Sequence, residues 1–96
     1  MSESQIAAHL TDFPRWRYED ARLTRSFRTK DFRAALAWVN RVGMLSEEED
    51  HHPDFHITGW NNVRLVLWTH TVGGLSINDF VMAGKIDVLA AKDGLD

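Results

Sequence analysis

The chain has 96 residues, a net charge of -3 and no cysteine. This length fits a single domain over residues 1–96. A mildly acidic chain is poorly suited to general nucleic-acid binding, which depends on neutralising phosphates. The absence of cysteine excludes disulfides, thiol catalysis and thiolate metal sites, and agrees with a reducing cytoplasm.

Size and hydropathy set two further expectations. The first residues lack an apolar run behind a basic start, so we expect no signal peptide. No apolar run approaches the roughly 18 residues of a membrane span. A domain this small buries only about 60% of its unfolded surface, and its four Trp and five Phe supply large apolar side chains. Self-association would bury more of them, so we expect a homo-oligomer.

The first third of the chain predicts a helix and two strands. A short helix fits residues 1–12 and is ended by Pro14. A strand is expected to begin over residues 16–18, and residues 22–28 alternate between apolar and polar side chains. Arg25 falls on the apolar face of this second strand, and the pattern gives no structural reason for it.

A helix is expected to begin at Thr29 or Lys30 and to end near Gly43. Ser46 is expected to cap a new turn, with Glu49 at the capping-box position of an acidic run. The first of these helices shows a 3.6-residue apolar stripe, formed by Phe32, Ala35, Leu36, Val39 and Val42.

The second half predicts a hairpin and a final helix. Residues 55–60 and 63–67 alternate as strands, and Asn61-Asn62 is expected to form the turn between them. Ser76 and Asp79 predict a capping box for a helix over residues 77–91, with an apolar face of Ile77, Phe80, Val81, Gly84 and Val88. Paired strands and long helices predict a two-layer α+β fold, with a four-stranded antiparallel sheet and helices on one face.

Four of the five histidines lie in the second half of the chain and form the candidate catalytic cluster. His51 and His52 are adjacent and precede Pro53, which favours extended backbone in the residue before it. His70 follows the clearest strand, so the hairpin can return it beside the pair. Imidazole suits proton transfer near neutral pH because its ordinary pKa is about 6.5.

Three interpretations of this cluster stay open on the residues alone. The histidines can be structural, at the surface or satisfied in the core. Three histidines and a carboxylate can bind zinc, although adjacent histidines converge poorly on one ion and no HExxH motif is present. The third interpretation is metal-free acid–base catalysis on a small substrate, with Glu47 holding one imidazole in its charged form.

The spacing of these residues resembles the pterin-4a-carbinolamine dehydratase family. The family motif combines a charged residue, His-His-Pro, an aromatic, a His and an Asp. Here it reads Glu47, His51-His52-Pro53, Trp60, His70 and Asp79. Trp60 stands one residue later than in some members, and we expect Gly59 to absorb the difference as a bulge. The resemblance covers about residues 13–89 and includes, upstream, Trp16, Leu23, Arg25, Phe27 and Phe32.

The resemblance implies an activity and its partners. The protein would dehydrate 4a-hydroxytetrahydropterin to quinonoid dihydropterin, without a metal or an organic cofactor. It would thereby serve a pterin-dependent aromatic amino acid hydroxylase. Members of the family form dimers and tetramers, so a homodimer or homotetramer is expected.

The resemblance also implies roles for the site residues. His51 and His70 would act as acids at the leaving hydroxyl, and His52 would orient the pterin or act as base. Glu47 and Asp79 would hold the histidines. Helix capping is an equal alternative for Asp79, and the two roles can coexist.

Two residues are expected to line the pocket. Pro53 would border it, and Trp16 would stack on the flat pterin. Core packing is an equal alternative for Trp16. His9 and His56 are interpreted as structural.

The rival functions belong to other classes. A binding or assembly module that stabilises a partner protein would not require the histidines, whereas this chain keeps the whole set. A metal-dependent hydrolase would be sensitive to a chelator. The resemblance favours the dehydratase over both.

Overall fold

The chain alternates paired strands with helices, in the order predicted. The computed structural model describes residues 1–95. In chain order the elements are α1 (Glu3–Leu10), β1 (Arg17–Glu19), β2 (Arg22–Arg28), α2 (Phe32–Glu49), β3 (Asp54–Thr58), β4 (Asn62–Leu67), a 3₁₀ turn (His70–Val72) and α3 (Ile77–Lys92). Within this described part, none of the helices has the length and apolar character that a membrane crossing requires.

The strands form one antiparallel sheet in the order β1-β2-β4-β3. The register pairs Leu23 with Leu67 between β2 and β4, and Asp54 with Val66 between β3 and β4. The end of β4 therefore lies beside the start of β3. The segment that precedes β3 and the segment that follows β4 emerge together at this edge of the sheet.

Helices α2 and α3 cover one face of the sheet. The inward side chains of β4 are fully buried at Val63, Leu65 and Leu67, whereas Arg64 between them is exposed. Phe27 of β2 packs on Trp38 of α2, with ring centroids 4.9 Å apart. This alternation is the period of two that a half-covered sheet requires. The predicted two-layer α+β fold is confirmed.

The second helix is longer than the sequence pattern indicated. It begins at Phe32, where the Asp31 side chain accepts a hydrogen bond from the Ala34 backbone N–H (2.8 Å). It then continues through Ser46, so the prediction of a cap at Ser46 is wrong. The Ser46 side chain is buried and donates to the Val42 carbonyl one turn earlier (2.7 Å), which satisfies its hydroxyl within the helix.

The apolar stripes predicted for the two long helices are rotated from the faces that are buried. Phe32 and Leu36 of α2 are 49% and 44% exposed. On α3, three residues of the predicted face are likewise exposed, namely Ile77, Val81 and Val88. The buried residues are Ala35, Trp38, Val42 and Ser46 on α2, and Asp79, Phe80, Met82, Ala83, Ile86 and Ala90 on α3. Apolar residues occupy two adjacent faces of each helix, and only packing on the sheet selects one.

The β3–β4 turn differs from the prediction by two residues. Gly59 and Trp60 hold the positive φ angles, 54° and 61°, while Asn62 already belongs to β4. The pairing of β3 with β4 runs without a break from Asp54 to Thr58. Gly59 therefore lies in the hairpin loop, and the expected bulge is wrong.

Arg25 has a structural partner that the strand pattern did not indicate. Its side chain is 5% exposed and donates to Asp87 Oδ1 of α3 at 2.5 Å. Trp16 Nε1 donates to the same oxygen at 2.8 Å. Because a buried cation is costly unless it is paired, this contact explains why an arginine can occupy the apolar face of β2.

Candidate active site

The three predicted histidines meet at the edge of the sheet where β3 begins and β4 ends. His51 and His52 occupy the link from α2 to β3, and His70 starts the 3₁₀ turn after β4. They border a cavity of about 280 Å³, close to the lower end of the roughly 300–1,000 Å³ range of small-molecule sites. The residues that line this cavity are Asp50, His51, His52, Trp68, Thr69, His70 and Thr71.

His51 is held from both its backbone and its ring. Helix α2 ends at Asp50 in the left-handed conformation (φ 51°), and the His51 N–H then donates to the Ser46 carbonyl at 3.1 Å. Its Nε2 lies 2.7 Å from Asp79 Oδ1. The ring is 17% exposed, while Asp79 is fully buried. A carboxylate at one ring nitrogen orients the imidazole and leaves the other nitrogen to exchange a proton.

Asp79 also joins the two halves of the site. Its Oδ2 accepts hydrogen bonds from Thr69 Oγ1 (2.8 Å) and from the Ser76 backbone N–H (2.9 Å). The second bond is the capping-box contact predicted at the start of α3. The same carboxylate thus caps α3, holds His51 and anchors the residue before His70. The two alternatives for Asp79 coexist.

His52 has a carboxylate partner on α2. Its Nε2 lies 2.5 Å from Oε2 of Glu47, and Glu47 belongs to the last turn of that helix. Both side chains are largely exposed, at 55% and 72%. Solvent screens such an ion pair, so we regard the contact as one that orients the ring at the mouth of the cavity.

His70 is exposed and contacts an aromatic ring. Its imidazole centroid lies 3.9 Å from that of Trp68, with the planes tilted by 32°. Trp68 and Thr69 are cavity residues to which the sequence analysis assigned no role, although the Thr69-His70 pair is part of the resemblance to the family. A signal for them was available: both lie between the clearest strand and His70, where the chain must turn into the site.

The structure places Trp16 and Pro53 outside this cavity. Trp16 is 4% exposed, belongs to the hydrophobic core and is bonded to Asp87. It does not border the histidine cavity, so the core-packing alternative describes its position. Pro53 is buried and borders a neighbouring cavity of about 350 Å³, which shares His52 with the first.

Other features of the described residues lack this combination of proton-transfer groups. Within residues 1–95, no group of three or more His, Cys, Asp or Glu side chains is arranged to hold a metal ion. A larger surface cavity, about 510 Å³, is a groove along α2 and Leu89 that contains no histidine. Size alone favours that groove, but proton-transfer groups converge only on the smaller cavity, which we take as the candidate active site.

The geometry supports proton transfer on a small molecule. Two imidazoles are fixed by carboxylates and a third by an aromatic ring, all around one opening. Each ring has a nitrogen that is not committed to those contacts. Such a set can donate one proton and accept another within a single binding event.

Comparison with known proteins agrees with the motif. The sequence profile of the pterin 4 alpha carbinolamine dehydratase family matches residues 1–89. The Arabidopsis thaliana pterin-4-alpha-carbinolamine dehydratase 2, mitochondrial, is 49% identical over 72 residues, which cover 75% of this chain and only 38% of that longer protein. A protein of Gloeobacter violaceus named for the same dehydratase is 44% identical over 95 residues, covering 95% of this chain and 81% of the relative.

A solved structure supports the same assignment. The transcriptional coactivator/pterin dehydratase from Brucella melitensis superposes with a TM-score of 0.84 at 32% identity, covering 94% of this chain and 97% of the other. The profile match spans most of the chain, and the fold, the motif and the meeting of its histidines at one cavity all agree with it. The chain therefore belongs to the pterin 4 alpha carbinolamine dehydratase family.

Proposed function

We propose that this protein catalyses the dehydration of 4a-hydroxytetrahydropterin to quinonoid dihydropterin and water. The observation that carries the proposal is the convergence of His51, His52 and His70 on one cavity of about 280 Å³. Family membership supplies the substrate class. The relatives named above are dehydratases of this kind by name.

The reaction needs one proton delivered and one removed. The C4a hydroxyl leaves as water once an acid protonates it, and the C4a–O bond breaks. An N–H proton of the pterin departs as the new double bond forms. The two transfers balance, so the histidine set as a whole neither gains nor loses a proton, and exchange of protons with solvent restores each imidazole. A positioned imidazole contributes about 10²–10⁴-fold to such a step.

The contacts support a division of roles. His51, oriented by Asp79, and His70, on the other segment of the site, are the acids that we assign to the leaving hydroxyl. His52 lies at the mouth of the cavity beside Glu47, where it orients the pterin or removes the N–H proton. Pro53 follows His52 directly and borders the adjoining cavity, and as a proline it favours extended backbone at His52.

The decisive experiment follows the loss of 4a-hydroxytetrahydropterin in a stopped assay, with and without chelator. We expect acceleration over the spontaneous reaction and no change with chelator. Absence of acceleration would overturn the dehydratase. Inhibition by chelator would instead support a metal-dependent enzyme.

Substitution of single histidines tests the site within the same assay. His52→Ala and His70→Ala should each lower the rate by about 10²-fold or more without changing the circular dichroism spectrum. His56→Ala is the matched control, since His56 is an exposed residue of β3 that does not border the cavity. If His52→Ala and His70→Ala both kept the full rate, the site would be wrongly placed.

We also propose a cellular setting for this activity. The protein acts in the cytoplasm as a homodimer or homotetramer, and it supplies dihydropterin for reduction after a pterin-dependent aromatic amino acid hydroxylase has turned over. Exposed apolar residues on α2 and α3, among them Met44 at 65% and Val88 at 56%, support self-association.

A further inference from the structure

Trp68 connects the open face of the sheet to the candidate active site. It follows β4 directly, and the alternation of that strand places it on the opposite face from Leu65 and Leu67, away from the helices. It also lines the histidine cavity. The family motif does not include this position.

The contact between Trp68 and His70 is the closest ring contact in the described part of the chain. The two ring centroids are 3.9 Å apart. His70 is exposed at the start of a three-residue 3₁₀ turn, so its side chain would otherwise sample several rotamers. Fixing it in advance against an aromatic plane removes that entropy cost from the reaction.

Trp68 is itself held by two charged side chains. The Arg22 guanidinium carbon lies over the indole at 4.1 Å from the ring centroid, a cation–π distance. The indole Nε1 donates to Asp54 Oδ2 at 3.4 Å. Arg22 belongs to β2 and Asp54 to β3, so the strands on both sides of β4 restrain the indole.

The support of Arg22 reaches one strand further. Its Nη1 donates to the Asp20 carbonyl at 2.8 Å. Asp20 and Ala21 form the β1–β2 turn and both have positive φ, 52° and 61°, a conformation that non-glycine residues adopt only when their surroundings impose it. The turn thus presents a fixed carbonyl to Arg22.

The three histidines are therefore restrained in two different ways. His51 and His52 each have a carboxylate at Nε2, whereas His70 has a ring stack. A stack uses neither ring nitrogen, so both nitrogens of His70 stay able to carry a proton. We propose that Trp68, held by Arg22 and Asp54, is the positioning residue for His70. This inference rests on the proposed function, in which His70 is an acid.

The kinetic test compares Trp68→Ala with Trp68→Phe. The alanine variant should lower kcat by about tenfold, a part of what a positioned acid supplies, with KM changed less than about twofold. Phenylalanine retains a flat ring and should restore most of kcat. Phe32→Ala is the control for loss of an aromatic side chain, because Phe32 is 49% exposed at the start of α2 and does not border the cavity.

A double substitution shows whether Trp68 acts through His70. In the His70→Ala background, Trp68→Ala should cause no further loss of kcat. A further tenfold loss there, or a rise in KM with kcat unchanged, would overturn the inference and make Trp68 a direct contact of the substrate. Failure of phenylalanine to rescue would also overturn it.

Nuclear magnetic resonance tests the stack without reference to activity. The ring protons of His70 should resonate upfield in the wild-type protein because of the indole ring current, and should move downfield in Trp68→Ala but not in Phe32→Ala. If they do not move, the stack is absent and the inference is wrong. If the wild-type protein has no dehydratase activity but the shift is present, the proposed function fails while the contact stands.

Discussion

At the scale of single residues, the Asp79 side chain joins three parts of the site by hydrogen bonds. It is fully buried, and its two oxygens contact His51, Thr69 and Ser76. A buried carboxylate is tolerated when hydrogen bonds replace its lost hydration. Because Asp79 accepts from its neighbours, we infer that Nε2 of His51 donates to it, so His51 acts as an acid when its Nδ1, the nitrogen left for the substrate, also carries a proton.

Replacing Asp79 by asparagine tests this assignment of the proton. The amide keeps the shape of the side chain, but its NH₂ group presents a donor where His51 also donates, so the imidazole must change tautomer or turn away. We expect Asp79→Asn to lower the dehydration rate at least about tenfold, which is part of the roughly 10²–10⁴-fold that a positioned imidazole contributes. The dehydration assay measures this rate.

Ser76→Ala is the control for a general weakening of α3. It removes the hydroxyl that contacts Thr69 Oγ1 at 2.8 Å and leaves the hydrogen bond between His51 and Asp79 in place. Loss of a capping serine costs about 1 kcal/mol, so stability should fall while the rate is kept. Equal losses of rate in the two variants would show that Asp79 acts only through the stability of the helix.

At the scale of elements, α2 contains a glycine within a long regular helix. Gly43 lies between buried Val42 and exposed Met44, and a methyl group built on it meets no atom within 4 Å. Glycine inside a helix costs about 1 kcal/mol relative to alanine, because it loses more backbone freedom on folding. The same low helix propensity explains why the sequence pattern predicted that the helix ends near Gly43.

Gly43→Ala should therefore stabilise the protein by about 0.5–1 kcal/mol, measured by urea denaturation. Gly84→Ala on α3 is a useful comparison. There the added methyl group would lie 3.4 Å from Phe13 Cε1, a close contact that should reduce the gain. Destabilisation by Gly43→Ala would mean that α2 is not continuous at this position in solution.

A surface ion pair joins the middle of α2 to the C-terminal end of α3. Arg41 Nε and Nη2 each donate to an oxygen of Asp93 at 3.0 Å. These donors hold the pKa of Asp93 below its ordinary value of 3.8, and the carboxylate raises the pKa of Arg41. Both side chains are partly exposed, so the pair should be weakened by salt.

The lowered pKa of Asp93 fixes the sign of its pH dependence. A carboxyl group whose folded-state pKa is depressed stabilises the fold above its unfolded pKa, and that contribution is lost as the pH falls through the folded value. We expect Asp93→Asn to be less stable than wild type at pH 7. The two proteins should be equally stable at a pH low enough to protonate Asp93 in the folded wild type. Urea denaturation at several pH values measures this, and a difference that grows on acidification would contradict it.

At the scale of the whole molecule, a partly buried ion pair joins the two layers while an apolar groove stays open. Arg25 on the sheet and Trp16 before β1 meet at Asp87 of α3. Outside this core, a groove runs along α2 and α3, with Met44, Val81 and Val88 about half or more exposed. A small monomer rarely leaves such a surface uncovered.

Self-association through this groove has a direct test. Met44→Lys should shift the protein to a smaller species in light scattering coupled to size-exclusion chromatography, because a charge in an apolar contact is costly. Trp60→Lys introduces the same charge at the exposed β3–β4 turn and should leave the mass unchanged. If Met44→Lys kept the wild-type mass, any oligomer would use another surface.

Much of this molecule was predictable from local patterns. The alternation in β2 and β4, the capping box at Ser76 and Asp79, and the order of helices and strands all follow from period, propensity and capping, which act over a few residues. The histidine motif is also a property of the sequence, and it indicates the family without reference to the fold. These features depend on neighbours along the chain.

The tertiary structure decided which groups meet. It selected the buried faces of α2 and α3, paired Arg25 with Asp87, assigned Asp79 to His51 and Glu47 to His52, and set Trp68 against His70. It also placed Trp16 in the core. The physical reason is that burial and hydrogen bonding between distant segments depend on the sheet register and the packing of helices upon it, and neither is encoded within one segment.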